Sequence, residues 1–522
     1  MTKKWFKIGL VGVFLLALAL RFWGLERFNT LVFDEVYYAK FGNNYLTGVP
    51  FFDGHPPLGK LIIALGIFIG KNIPWWDDTV NGLTGTLMSP LVYRWMNAFL
   101  GSFIPLLIAG IAYQLSHRRT FSLIAGLFAA CDGIFIVEAR YALINQYIVI
   151  FGLLAHFLLL LALNHKRQRY LYLILSGASF GASIGTKWNG VFYLAGAYGL
   201  WIIAWLIRFL QTSKFAYREP QQLYREPQQL YQDQTLVADT RLNRQQLLFM
   251  VKNKQRYEGK NENKPSPLQN LTQLNIFQII AFLGIIPFII YSIIWIPHLR
   301  LDTKYDFIEV HKQIFGFHER MGGNNANVHP YCAAWYKWAL MIRPMAYYYQ
   351  TAQSFNDPLP VMGPPLPSGA GKVIYDVHAM GNPFLWWFGV IALVIILGML
   401  VWNLIVPSIK KKQFVFPEKI TTEAWIAIYL ILNYAVNLLP WVKVTRCVFI
   451  YHYMTGVVFA FIAIAWVVDQ CLHSYRSLFR ATGVTVTFLI IGSLIWWLPI
   501  YLGLPLTNQG YRPLRMWFNS WI

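Results

Sequence analysis

Charge is what this chain has least of. Only 13% of its 522 residues are Asp, Glu, Lys or Arg, against about 25% in soluble domains. The length would allow several soluble domains, but so little charge argues against a set of water-covered surfaces. Acidic residues are the scarcer sign, 23 against 44 basic. Cysteine is also sparse. Cys131, Cys332, Cys447 and Cys471 lie far apart, with no CxxC pair, so no disulfide or zinc framework is indicated. Cys131, Cys447 and Cys471 fall in or beside apolar stretches and read as small core residues. No Gly-rich phosphate loop is found. No small-residue cleavage site follows the first apolar stretch, Ile8 to Phe22, so Lys3, Lys4 and Lys7 precede an uncleaved span rather than a signal peptide.

Apolar residues are what the chain has in excess, at 56%, with 17% aromatic. They come in blocks of about 20, the length that crosses a bilayer as helix, and the aromatics suit interfacial belts. Eleven spans are expected, near 6–24, 91–113, 119–137, 141–163, 170–186, 188–210, 275–297, 384–405, 422–440, 447–469 and 479–502. The expected class is therefore an all-α integral membrane protein. The net charge of +21 does not indicate nucleic acid, because the basic residues cluster in short loops between apolar blocks, as cytoplasmic loops do. With the N-terminus inside, every inside loop is basic: Arg118 and Arg119; Lys166, Arg167 and Arg169; segment 211–274; Lys410 to Lys412; Arg476 and Arg480.

This orientation puts two sizeable loops outside, 25–90 and 298–383, and divides the chain into three parts. An N-terminal membrane region, 1–210, carries the first outer loop. A polar cytoplasmic insertion, 211–274, contains a direct duplication, Tyr217-Arg-Glu-Pro-Gln-Gln-Leu followed by Tyr224-Arg-Glu-Pro-Gln-Gln-Leu, and reads as a tolerated low-complexity expansion. A C-terminal membrane region, 275–522, carries the second outer loop. Leu58 to Gly70 is apolar but too short to span and suits the interface or a re-entrant segment. Trp517, Phe518 and Trp521 in the tail look like an interfacial anchor.

The sharpest chemical signal is Phe33-Asp34-Glu35-Val36-Tyr37-Tyr38. Two adjacent carboxylates follow the outer end of the first span. A carboxylate near the lipid surface with a like charge beside it tends towards a raised pKa and suits a general base. An exposed acidic loop or an ordinary helix start reads equally well from this run alone. On the same loop, Asp53-Gly54-His55-Pro56-Pro57-Leu58-Gly59-Lys60 places a histidine before a turn stiffened by two prolines. Cations mark the outer ends of later spans: Arg94, Arg140, Lys187 and Arg446. Each alone could snorkel; four on one face suit a phosphate. Asp34, Asp53 and His55 fit no zinc spacing, so no metal is expected.

Taken together, these motifs resemble the protein O-mannosyltransferases, membrane glycosyltransferases of the GT-C class that use a polyprenyl phosphate sugar. The resemblance continues through Tyr93-Arg94, Asn97-Ala98 and Gly101, through Arg140-Tyr141, and through the run Gly181 to Gly190 with Lys187-Trp188. It also covers His329-Pro330-Tyr331, Trp335, Trp338, Arg343-Pro344, Tyr347-Tyr348, Leu439-Pro440-Trp441, Arg446 and Tyr451-His452-Tyr453. Only the insertion is left out. Where family members often read Arg-Tyr-x-x-x-Asp, this chain has Asn145. Loop 298–383 is too short for the β-trefoil domain of eukaryotic members, which points to a bacterial type.

The resemblance implies a GT-C bundle of about eleven helices in the cell membrane, with its site on the extracytoplasmic side. It implies transfer of mannose, with inversion, from a polyprenyl phosphate carrier to Ser or Thr hydroxyls of secreted or membrane proteins met near the translocon. No cofactor beyond the lipid-linked donor is implied. Asp34 would be the base, with Glu35 tuning it or placing the acceptor. Arg94, Arg140, Lys187 and Arg446 would hold the donor phosphate. His55, Pro56, Pro57, His329, Trp335, Tyr451 and His452 would support the site. A GT-C enzyme with another sugar, or with a lipid or glycan acceptor, shares the Asp-Glu pair. A transporter would show repeated halves, and none is visible. A non-catalytic scaffold would tolerate loss of Asp34.

Overall fold

The computed structural model describes every residue except 74, 75, 77–79, 214, 215, 218–265, 324, 326, 354–356, 358, 360 and 362–370. The duplicated run beginning at Tyr217 lies almost wholly outside the described residues. The architecture is a helical bundle. Among the described residues nine helices are long and apolar enough to cross a membrane: Lys3–Phe22, Pro90–Ser116, Asn145–Asn164, Trp188–Thr212, Ile276–Leu301, Pro383–Lys411, Thr422–Lys443, Ile450–His473 and Ser477–Leu502. A tenth candidate is a bent pair, Arg119–Ala130 and Gly133–Arg140, broken by 58°. The expected span at 170–186 is a helix of only 16 residues, Arg169–Ile184, so the count of eleven is not reached.

The bend has a local cause. Asp132 caps the second half of the pair by accepting from Phe135 N at 3.3 Å. Its other oxygen accepts from Asn382 N at 3.0 Å and Trp386 Nε1 at 2.7 Å, which nails the break to the helix starting at Pro383. Gly133 follows because a Cβ there would lie 2.1 Å from the Tyr501 ring. We label this second half α1 (Gly133–Arg140) and the helix after it α2 (Asn145–Asn164). The short turn between them matters for the site.

Two long segments connecting the spans pack against each other, Phe33 on Tyr347 and Gly54 on His318. The first holds Glu35–Thr47 and Leu58–Gly70, of 13 residues each. The second holds the amphipathic helix Phe307–Arg320 and two strands, β1 (Met345–Ala352) and β2 (Val373–Ala379). These pair antiparallel, and β2 also pairs with β3 (Leu506–Thr507) near the C-terminus. The sequence reading contained no strands. Every side chain of β2 is buried, so alternation, the usual sign of a half-buried strand, is missing there.

Two further points differ from expectation. Cys332 and Cys447 form a disulfide, Cα to Cα 5.3 Å, across 115 residues of sequence; Cys447 is therefore no simple core residue. The C-terminal tail is docked rather than only anchored. Trp521 is buried and donates to Met341 O at 2.8 Å, and Arg343 Nη1 reaches Ser520 O and Ile522 O at 2.7 Å. Trp517 and Phe518 remain exposed.

Candidate active site

The two adjacent carboxylates have opposite environments. Phe33 adopts φ 54, a left-handed conformation that bulky residues rarely hold and that concentrates at functional sites. Its ring stacks on Tyr347 at 4.1 Å, which packs the strained residue in place. The turn it makes sends Glu35 inward. Glu35 is fully buried and accepts from Val32 N, Ala142 N, Arg94 Nε and Arg94 Nη2, at 2.9, 2.9, 2.9 and 2.7 Å. Asp34 stands at the helix start yet caps nothing with its side chain. Burial pushes its carboxyl up to about 6; Lys187 opposes the shift and Asp53 adds to it.

The four cations divide in the same way. A guanidinium has five N–H donors. Those of Arg94 go to Glu35, to Leu25 O and Phe28 O, and to Thr30 O and Glu35 again. Arg94 is completely buried and has no donor left for a phosphate. Arg140 serves the end of the first helix, reaching Leu20 O, Arg21 O, Trp23 O and Gly24 O, where a cation also meets the negative pole of the helix. This geometry departs from the expectation that these two arginines hold a donor phosphate, and likewise from Glu35 as a group facing the substrate.

Lys187 and Arg446 are differently placed. Lys187 Nζ donates once, to Asn145 Oδ1 at 2.7 Å, and lies 5.3 Å from the centre of the Tyr451 ring. Burial brings its ammonium down to about 8, against the pull of Asp34. Among the described residues the Arg446 side chain makes one hydrogen bond, to Cys447 O at 3.1 Å, and it is half-buried. Both cations keep donors for a ligand.

The His-Pro-Pro motif builds the wall beside Lys187. Leu58 N donates to Gly185 O at 3.0 Å, and a Cβ on Gly59 would lie 2.6 Å from Ile144, so only glycine lets this helix meet both turns. Pro56 and Pro57 are buried at its start, Pro57 as the residue just before the helix. Lys60 pairs with Asp53 and donates to His55 O at 2.7 Å. The ring of His55 lies 5.4 Å from that of His318. Burial and the nearby cations Lys187, Lys60 and Arg446 hold His55 well below its usual pKa, so it is a neutral imidazole here.

The supporting residues separate into near and far. Tyr451 borders Lys187 and lies 5.9 Å from Phe33, ring to ring. His452 points away, stacked on Trp338 and edge-on to Trp441. His329 accepts from Tyr331 N at 3.2 Å and packs against Phe449, so it shapes a turn. Trp335 is partly buried in the same loop layer. Sequence reasoning passed over Glu138, which accepts from Tyr347 Oη and from Asn145 Nδ2 at 3.1 Å. The signal was available: a carboxylate directly after the apolar run Ile134 to Val137 is expensive at membrane depth and usually has a task.

The assembly is one strained turn, one under-solvated carboxylate and two open cations at a helical membrane bundle. Residues 11–224 match the family described as dolichyl-phosphate-mannose-protein mannosyltransferase, and residues 303–521 match the C-terminal four TMM region of protein-O-mannosyltransferase. The chain belongs to the protein O-mannosyltransferase family. Within it, the polyprenol-phosphate-mannose--protein mannosyltransferase of Mycolicibacterium smegmatis is 22% identical, over 94% of this chain and 88% of its own. That of Mycobacterium tuberculosis is 22% identical over 99% and 92%. Protein O-mannosyl-transferase 1 of Rattus norvegicus is 29% identical over 35% of this chain and 26% of its own. The fold is shared with the S. cerevisiae protein O-mannosyltransferase Pmt1-Pmt2 complex bound to the sugar donor, with a TM-score of 0.71 and 14% identity over 100% of this chain and 93% of that one.

Proposed function

We propose that this chain transfers mannose from a polyprenyl phosphate carrier to Ser or Thr hydroxyls of proteins, with inversion at the anomeric carbon. The observation that carries the reading is Asp34, whose side chain takes no hydrogen bond among the described residues, within the electrostatic reach of Lys187, which keeps two N–H groups unused there. The acceptor oxygen attacks the anomeric carbon while its proton passes to Asp34. The bond from that carbon to the phosphate oxygen breaks, and the electron pair leaves with the lipid phosphate. Lys187 and Arg446 stabilise the charge that grows there, an effect on the order of 3 kcal/mol for one well-aligned group. A carboxyl near 6 is mostly ionised at neutral pH and close enough to neutrality to serve as base. Glu35, Arg94 and Arg140 shape the turn that presents Asp34.

The site lies on the extracytoplasmic side of the cell membrane in this reading. The basic loops mark the opposite face, and the Cys332–Cys447 disulfide suits an oxidising compartment. The acceptors are secreted or membrane proteins.

The test uses purified protein in detergent with radiolabelled polyprenyl phosphate mannose and a Ser/Thr-rich peptide. Label on the peptide supports the reading. Label found only on lipid or glycan would replace the acceptor, and no transfer from any lipid phosphate sugar would overturn the function.

A further inference from the structure

Glu138 sits at the site end of α1 and is fully buried. A lone carboxylate inside an apolar bundle is costly unless a cation or several donors satisfy it. Glu138 has neither in full. Both of its donors, Tyr347 Oη and Asn145 Nδ2, converge on Oε1, while Oε2 is buried with no partner. No cation touches it among the hydrogen bonds and ion pairs of the described residues. A glutamine would fill the same volume at lower cost, so packing alone does not account for the acid.

The amide between Glu138 and Lys187 gives the account. Asn145 opens α2, is 4% exposed, and is used at both ends. Its Nδ2 donates to Glu138 and its Oδ1 accepts from Lys187 at 2.7 Å. The carboxylate therefore fixes which way the amide faces, and the amide fixes where the ammonium points. Tyr347 holds Glu138 from the other side while its ring stacks on Phe33, the residue before Asp34. One buried acid thus braces both the base and the cation. Resting on the reading of Lys187 as the donor phosphate cation, we propose that Glu138 is a positioning residue that acts through Asn145 to aim Lys187 and keep it charged.

The pH dependence follows from what surrounds Lys187. Asp34 and Asp53 of the first loop and Glu138 of α1 favour its charged form. Arg446 opposes it, as does burial. His55 faces it as an imidazole held below its usual range, and the Tyr451 ring covers it. Deleting one of the favourable charges makes Lys187 lose its proton at lower pH.

The experiment measures transfer against pH, with donor kcat and KM, for wild type, Glu138→Gln, Asn145→Asp, the double variant and Lys187→Ala. Glu138→Gln should lower donor kcat/KM about tenfold, leave thermal stability unchanged or raised, and move the alkaline limb down by about one pH unit. Asn145→Asp in that background returns a carboxylate next to the ammonium and should move the limb back and recover most of the lost rate. If Glu138→Gln cannot be purified, Asn145→Asp alone must move the limb to higher pH. A wild-type rate and limb in Glu138→Gln would overturn the proposal, as would a loss of rate with an unmoved limb that the relocated carboxylate does not repair. Lys187→Ala separates the two readings. Unchanged donor kinetics there would remove Lys187 from the phosphate, whereas a crippled Lys187→Ala beside a silent Glu138→Gln would remove only Glu138.

Discussion

The two sides of the turn at Phe33 treat charge in opposite ways. On the inner side, Glu35 and Arg94 satisfy each other and five backbone groups, and nothing is left over. On the outer side, Asp34 and Lys187 lie near each other with most of their hydrogen-bonding capacity unused. Neighbours in sequence thus do different jobs. A saturated pair is architecture, because any ligand would have to break existing bonds to reach it. An unsaturated pair is where a ligand gains most. Counting free donors distinguishes the two where charge and sequence spacing do not.

The largest effect should come from breaking the outer side. Asp34→Asn should lower transfer by about 10³-fold or more, yet leave the protein at least as stable. The sign follows from the raised carboxyl. A group held at about 6 in the fold and near 3.8 when unfolded favours folding fully below the lower value. That contribution is lost as pH rises through the higher one. Removing the charge therefore does not weaken the fold at neutral pH. A thermal unfolding scan beside the transfer assay checks both halves, and a destabilised Asp34→Asn would erase the contrast.

Breaking the inner side should reverse the pattern. Glu35→Gln strands Arg94 in the core, a loss of roughly 3–5 kcal/mol for a buried pair deprived of one member. It should appear first as a lower melting temperature and poor recovery from the membrane. A smaller loss, roughly 2–5 kcal/mol, is expected for Cys447→Ser, because the bridge closes a loop of 115 residues; melting with and without a reductant measures it. The smallest effect sharpens the outer side alone. Below pH 6 the transfer rate should fall about tenfold per unit as Asp34 takes up its proton, and a flat acid profile would speak against that base.

Much of this was legible in the chain. The apolar blocks located the long helices, and the Asp-Glu pair, the His-Pro-Pro run and Lys187 marked residues that the fold brings together. The rest depended on partners far away in sequence. Nothing near Arg94 says that Leu25, Phe28 and Thr30 will take its donors, and nothing near Cys332 names Cys447. The bend at Asp132 and the short helix at 169–184 confused the count of spans because hydropathy measures length of apolar chain and not straightness. Strand β2 escaped because both of its faces are covered. Glu138 was the avoidable omission.

The stacking of Tyr347 on Phe33 has a consequence for how the enzyme is made. Asp34 emerges from the ribosome early, Lys187 a third of the way through, Tyr347 after two thirds, and Tyr451 late. A half-inserted chain therefore carries the acid and Lys187 without the Tyr347 ring that holds the turn or the Tyr451 ring beside the cation. Catalytic competence arrives only as the last helices enter the bilayer, so an abandoned fragment has no means of spending the cell's lipid-linked sugar.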